Sequence, residues 1–334
     1  MQYRNWLYCF SYLLFFPFLI FTQNERDSSH YELYQDQWVI DVSTGYNTTN
    51  FSISDKFESQ RERIKYRANM NPTIGFGVSY KLLALGISFK TPGYIRNTET
   101  FGTTSYTDLD LSFQLKNWLF LGDFHWYEGF SARLPDQSIQ LNERLRSYSV
   151  RINTYYFTND NYALQAARGI TGRYNEETIS LFAKATAALH GIANTNSPLL
   201  PNNIFDNSKT IWKARRVSAF DVGIIPGVAY VNRVQNWQFG VITGLGGVMQ
   251  SKFYRSPGVS RGFLGLAPRY DFQAQVGYNT KDWFIFLHTL LDNKSVRFND
   301  YRYQQLYYFI RLTGGYRIPM EKTKRINFDF PEAL

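Results

Sequence analysis

The sequence predicts an antiparallel transmembrane β-barrel of about twelve strands, with fourteen as the alternative count. Three observations predict it. Bulky apolar and polar residues alternate with period two in run after run, aromatic residues gather at the ends of those runs, and short connections alternate with long polar ones. Composition agrees: 18% of residues are aromatic, yet mean hydropathy is only -0.34, as expected of a wall greasy outside and hydrophilic inside.

The first 22 residues read as a cleaved signal peptide. Arg4 precedes an apolar run from Trp6 to Phe21, and the chain turns polar at Thr22. The single cysteine, Cys9, lies inside that run, so a processed chain has no disulfide and no thiolate metal ligand. No later run is long and apolar enough for a spanning helix, which leaves strands as the means of crossing a membrane. The expected division is a signal at 1–22, a periplasmic segment at 23–36, the barrel at 37–318 and a basic periplasmic tail at 319–334.

Each strand is justified by its faces. In QWVIDVSTGY, Trp38, Ile40, Val42, Thr44 and Tyr46 oppose Asp41, Ser43 and Gly45. Ile74, Phe76, Val78 and Tyr80 oppose Thr73, Gly75, Gly77 and Ser79, and Leu83, Leu85, Ile87 and Phe89 oppose Ala84, Gly86 and Ser88. TDLDLSFQLK separates most cleanly, with Leu109, Leu111, Phe113 and Leu115 against Asp108, Asp110, Ser112, Gln114 and Lys116. Tyr148, Val150, Ile152 and Tyr156 oppose Ser149, Arg151 and Asn153. Further on, Trp237, Phe239, Val241 and Leu245 oppose Gln238, Gly240, Gly244 and Gly246, and Tyr270, Phe272 and Val276 oppose Asp271, Gln273 and Gln275. Leu306, Tyr308, Ile310 and Leu312 close the series against Gln305, Arg311 and Thr313. A soluble sandwich or lipocalin-like binder also alternates. Glycines on the polar face, and Trp38, Tyr46, Trp118, Trp126, Trp237, Tyr278 and Trp283 at strand ends as an interfacial girdle, favour lipid outside.

Short turns are expected near Lys81, Lys116, Thr158 to Asn161, Val234 to Asn236 and Asn279 to Asp282. Long loops are expected at 47–69, 91–105, 129–144, 251–262 and 293–303. Counted this way the strands come to an odd number, and the direction of Thr178 to Leu189 conflicts when followed from either end, which locates the error in 169–216.

Several segments resemble a Bacteroidota outer-membrane barrel family described only as a domain of unknown function (DUF4421-like). They are NPTIGFGVSYKLLALGISF, TDLDLSFQL, WYEGF, SYSVRINTYYFTNDNYALQAA and DVGIIPGVAYV, together most of the chain after the signal. After the seventh strand the chain reads RYNEETISLF and departs from that pattern. The resemblance implies Gram-negative outer-membrane location and supplies no activity.

The four histidines are the first candidates for chemistry. His125, in GDFHWY, shares a face with Asp123, but no serine in a nucleophile-like setting is near in sequence. His30 is expected in a mobile leader, His190 at an interface, and His288 on an inward face without the converging ligands a metal needs. Catalytic residues, metal and cofactor are therefore expected to be none, and the protein non-enzymatic. The expected lumen lining is Asp108, Asp110, Gln114, Lys116, Asp123, His125, Arg151, Asp271, Gln273, Gln275 and Arg311, setting the preference of a lumen that passes or binds a small polar solute. The alternatives are an accessory subunit of an envelope assembly and, behind it, a lipid-acting hydrolase. The net charge of +9 sits in clusters such as RERIKYR, KARR and EKTKR, none in a nucleic-acid motif. Outer-membrane lipid and lipopolysaccharide are the expected partners, with a periplasmic protein as a further one.

Overall fold

Alternating β-branched and aromatic residues extend the chain, and left-handed residues turn it back. Lys81, Lys116, Gln235 and Asn299 all take positive φ in tight reversals, the backbone that two-residue hairpins require. The computed structural model describes residues 30–34, 36–57, 60–81, 83–195, 197–201 and 209–319. The expected signal peptide, most of the segment that follows it and the basic tail beyond Pro319 lie outside the described residues.

The strands are β1 (Tyr31–Leu33), β2 (Gln37–Phe57), β3 (Gln60–Arg67), β4 (Thr73–Tyr80), β5 (Leu83–Lys90), β6 (Ser105–Leu115), β7 (Trp118–Arg133) and β8 (Ile139–Phe157). They continue with β9 (Gly172–Tyr174), β10 (Thr178–Asn194), β11 (Arg216–Val234), β12 (Trp237–Ser256), β13 (Val259–Asn279), β14 (Trp283–Phe298) and β15 (Tyr301–Pro319). Two short helices intervene, α1 (Thr98–Phe101) and α2 (Leu164–Ala167).

All pairing is antiparallel, and β15 bonds back to β2 from Pro319↔Gln37 to Arg302↔Ser54, which closes the sheet. The closed ring runs β2-β4-β5-β6-β7-β8-β10-β11-β12-β13-β14-β15, twelve strands. β3 falls where a long loop was expected, at 47–69. It pairs with the upper half of β2 (Asn50↔Arg67) while β4 pairs with the lower half (Gly45↔Thr73), so the two form one broken descent. β5 and β6 are short, and above them β3 pairs directly with β7 through Lys65–Arg67. The wall thus narrows from twelve strands to ten towards the top.

At that narrowing Asn69 Nδ2 donates to the Gly102 carbonyl (2.7 Å) and Thr104 Oγ1 to the Gly129 carbonyl (2.6 Å). Gly129 has φ +95 at a register shift between β7 and β8, and a side chain there would strike the Thr103 carbonyl. A glycine is required where the wall changes its strand number.

Several expected loops are strand instead. β2 has 21 residues, against roughly ten needed to span, and β2–β3, β12–β13 and β14–β15 run on as tight hairpins beyond the spanning zone. Polar composition had suggested loops there, but polar strands are favoured once both faces leave the lipid. Conversely, the reversal at Thr158 to Asn161 is no short turn. The connection from Thr158 to Glu177 folds back into the lower end of the barrel, carrying α2 and β9, and β9 pairs with β1 (Tyr31↔Tyr174). The direction conflict disappears, because Thr178 to Asn194 is one ascending strand between two long connections.

The outer surface is apolar. Ile152 is 62% exposed, Leu245 71% and Leu266 84%, a cost that lipid removes and water would not. Outward aromatics recur eight residues apart on five strands: Trp38 and Tyr46, Trp118 and Trp126, Tyr148 and Tyr156, Tyr270 and Tyr278, Tyr308 and Tyr316. Eight residues at about 3.4 Å each, tilted by about 40°, climb about 21 Å, near the ~25 Å band of such barrels. Trp237 and Trp283 join the lower row beside Tyr278, whose ring lies 5.7 Å and 5.3 Å from theirs. Tyr46 and Trp126, in the upper row, are half-buried, packed on Tyr308 and Tyr148.

Candidate functional site

The lumen has three layers. In the upper layer inward Phe51, Ile53, Ile64, Tyr66, Phe130 and Tyr303 pack with Leu199, Leu200 and Trp212 from the connection between β10 and β11. Trp212 Nε1 donates to Asp55 at 2.8 Å, which ties that connection into the barrel mouth. In the lower layer α2 and its flanks pack on Leu119, Tyr155, Phe157, Phe182 and Ile242. Both ends are filled by packed apolar side chains, and most of the charges lie between them.

The lower plug is tied by polar bonds as well. Gln238 Nε2 donates to the carbonyls of Ala166 and Ala167 (both 2.8 Å), and Arg317 donates to those of Gly169 (2.5 Å) and Ile170 (3.4 Å). Gly169 has φ +74 and lies against the Phe286 ring, so only glycine makes that bend without strain. On the β1–β9 ribbon, the Arg173 guanidinium bonds Glu32 at 2.8 Å and holds its carboxyl below the usual range. Burial, with a bond to Glu32, pushes the Tyr34 hydroxyl up to about 12. His30, expected in a mobile leader, accepts the Asn175 N–H on its carbonyl at 2.8 Å.

In the middle layer the period-two pattern delivers charges to one level from many strands. Asp108 sits opposite His125 and Asp110 opposite Asp123 in the β6–β7 register, and Asp123 opposite Arg151 in β7–β8. His125 Nδ1 lies 2.5 Å from Asp108 and Nε2 3.0 Å from Asp123, so both ring nitrogens are engaged. Arg151 Nε meets Asp123 at 2.9 Å and Nη1 meets Asp292 at 2.5 Å. Asp292 also faces Lys294 (3.5 Å), which donates to Ser149 Oγ at 2.6 Å. Arg311 spans Asp108 and Asp110, each at 3.6 Å.

A second group joins Tyr155, Asp271 and Lys184. The Tyr155 hydroxyl donates to Asp271 at 2.5 Å, Lys184 approaches Asp271 at 3.3 Å, and Gln273 Nε2 donates to Tyr155 at 3.0 Å. A third group holds Asp221 among His190 (2.9 Å), Gln250 (2.9 Å) and Arg269. His190 was expected at an interface; it is fully buried in the lumen, because position 190 falls on the inward face of β10.

Beside these networks lies a cavity of about 200 Å³. Arg168 and Ile170 of the plug meet it, as do Asp41, Asp110, Asn153, Gln275 and His288 from the wall. It sits behind β4–β6, where inward positions are Gly77, Ser79, Ala84, Gly86, Ser88 and Ser112. Small residues there leave room that larger ones fill elsewhere.

Of the expected lining residues, Asp108, Asp110, Asp123, His125, Arg151, Asp271, Gln273, Gln275 and Arg311 all point into this middle layer. Gln114 points inward but is lower down, accepting the backbone N–H of Gln165 (3.0 Å) and so joining the plug. Lys116 does not line the lumen: it is exposed in the β6–β7 turn with φ 46, because the alternation stops at Leu115. Lys184, Asp221, Arg269 and Lys294 were missed although alternation alone would have found them. Arg168 carried no such signal, since it lies in aperiodic chain.

A family model described as "Domain of unknown function (DUF4421)" matches residues 25–318. No curated protein matches the chain. Among solved structures, the chain is similar to the outer membrane protease OmpT from Escherichia coli, at 8% identity over 86% of this chain and 98% of that one, with a TM-score of 0.39. It is also similar to an outer membrane channel from Pseudomonas putida F1, at 11% identity over 89% and 100%, with a TM-score of 0.38. The Pseudomonas putida toluene transporter TodX matches at 8% identity over 85% and 90%, with a TM-score of 0.28.

Proposed function

The chain belongs to the family described as Domain of unknown function (DUF4421), and from that premise we propose that it is a non-enzymatic outer-membrane barrel whose central chamber binds a small polar solute. Passage through it requires both packed ends to move. The observation that carries this reading is the cavity of about 200 Å³ in the charged layer, which lies between two packed ends. At about 30 Å³ per water it has space for roughly six waters or one solute of a few heavy atoms. An open pore has no use for packed layers at both ends. A general base needs a free ring nitrogen, and both of those on His125 are turned to carboxylates.

Reconstitution of the full chain in liposomes, with folding checked by a heat-modifiable gel shift, tests the proposal. Titration calorimetry with glycerol, glucose, propionate, ethylamine and alanine should give saturable binding for at least one solute, and single-channel recording should give a closed baseline. A large, permanently open conductance, or no binding by any solute, overturns it. The accessory-subunit reading draws on the hairpins that stand above the apolar band, and a stoichiometric partner copurifying with the barrel would favour it.

A further inference from the structure

We propose that the chamber takes a small zwitterion of amino-acid size, its carboxylate held by Arg168 and its ammonium by Asp41 and Asp110. This rests on the chamber reading above and names the chemistry of its occupant. Most charges at this level are already matched. Arg151 is held by Asp123 and Asp292, Lys184 by Asp271, and Lys294 by Asp292. Three groups at the cavity are left over. Arg168 has, among the described residues, no carboxylate within ion-pair reach, and its side chain bonds only the neutral Gln273 Oε1 at 2.6 Å. Asp41 has neither an ion pair nor a hydrogen bond among the described residues, and Gly77 beside it keeps the space that a larger residue would take. Asp110 has only Arg311 at 3.6 Å, shared with Asp108, and its side chain is 45% exposed to the cavity.

Arg168 and Asp110 line the same cavity yet form no ion pair with each other, so the cavity is bordered by a cation and an anion. Two polar groups supply independent evidence. Gln275 Nε2 and Asn153 Oδ1 have no hydrogen-bond partner among the described residues, although Gln275 is only 5% exposed, Asn153 only 2%, and both residues line the cavity. A singly charged solute would satisfy one end and leave the other buried and uncompensated. A zwitterion satisfies both and adds no net charge to the lumen.

The test uses the full chain in liposomes, with alanine as probe and propionate, ethylamine and glycerol as controls. Alanine should bind, and each control should bind at least about tenfold more weakly, the loss expected when hydrogen bonds to a charged group are forfeited. Arg168→Gln should weaken alanine about tenfold and bring it level with ethylamine, while Asp110→Asn should bring it level with propionate. If a single-charge control or glycerol matches alanine on the wild-type barrel, the zwitterion assignment falls and the chamber reading stands. If nothing binds, both fall. Arg168 lies in the plug, outside the strands, and the gel shift reports folding. Should a variant not fold, the wild-type ranking alone decides.

Discussion

Arg151 on β8 and Asp292 on β14 meet across the lumen, Nη1 to Oδ2 at 2.5 Å, although their strands stand five places apart round the ring. The same guanidinium holds Asp123 on the adjacent β7 at 2.9 Å. One side chain thus ties opposite walls of the cylinder at the level of the chamber, and the wall cannot change shape there without breaking it.

Removing that tie should be costly. Arg151→Ala leaves Asp123 and Asp292 buried without their strongest partner and is expected to destabilise the barrel by about 3–5 kcal/mol. Urea unfolding in liposomes, followed by tryptophan fluorescence, measures it. An unchanged midpoint would show the tie to be dispensable.

Ile152 lies midway between the outward Tyr148 and Tyr156 and is 62% exposed. If hydrocarbon covers it, Ile152→Arg costs about 2–4 kcal/mol, whereas Tyr148→Arg, at the edge of the band, costs about 0–1 kcal/mol. The same unfolding assay compares the two. Equal costs would contradict the proposed depth of the apolar band.

The plug is held by Arg317 and by the bend at Gly169. Arg317→Ala removes donors to the Gly169 carbonyl (2.5 Å), the Asn279 side chain (2.9 Å) and the Thr280 carbonyl (2.6 Å). Gly169→Ala forces a side chain into φ +74 and against Phe286, at about 1–2 kcal/mol for the backbone alone. Both variants should speed protease cutting between Leu164 and Gly172. Unchanged cutting in both would mean that the segment is not what closes the lower end.

The β1–β9 ribbon should loosen in acid. Arg173 lowers the Glu32 pKa, so the stabilisation is complete above the ordinary carboxylate range and is lost as pH falls through the folded value. Glu32 is well exposed, so the effect is small, about 0.2–1 kcal/mol. Hydrogen exchange at Tyr31 to Leu33 should quicken below the usual carboxylate range, and Glu32→Gln should give the faster rate already at neutral pH. A pH profile unaltered by that substitution would exclude the pair as its cause.

Much of the lumen was legible because alternation is a property of each strand alone. Asp271, Gln273 and Gln275 point inward while Tyr270 and Val276 meet the outer face, as their order requires. Legibility failed where strands end or periodicity is absent. Lys116 sits one residue beyond its strand, and a left-handed turn takes its side chain out of the pattern. β3 read as part of a long loop because QRERIKYR is strongly charged, yet it belongs with β4 to one descent along β2.

The order of residues by itself determined that this chain forms strands, which side of each is greasy, and where the aromatic rows fall. An extended backbone sends neighbouring side chains to opposite faces whatever else the chain does. Only the tertiary structure decided that Arg151 finds Asp292, that the segment after β8 turns back to stop the lower end, and that Arg168 reaches a cavity without a carboxylate of its own. Those contacts depend on ring closure and strand registration, which join residues more than a hundred positions apart and leave no periodic trace.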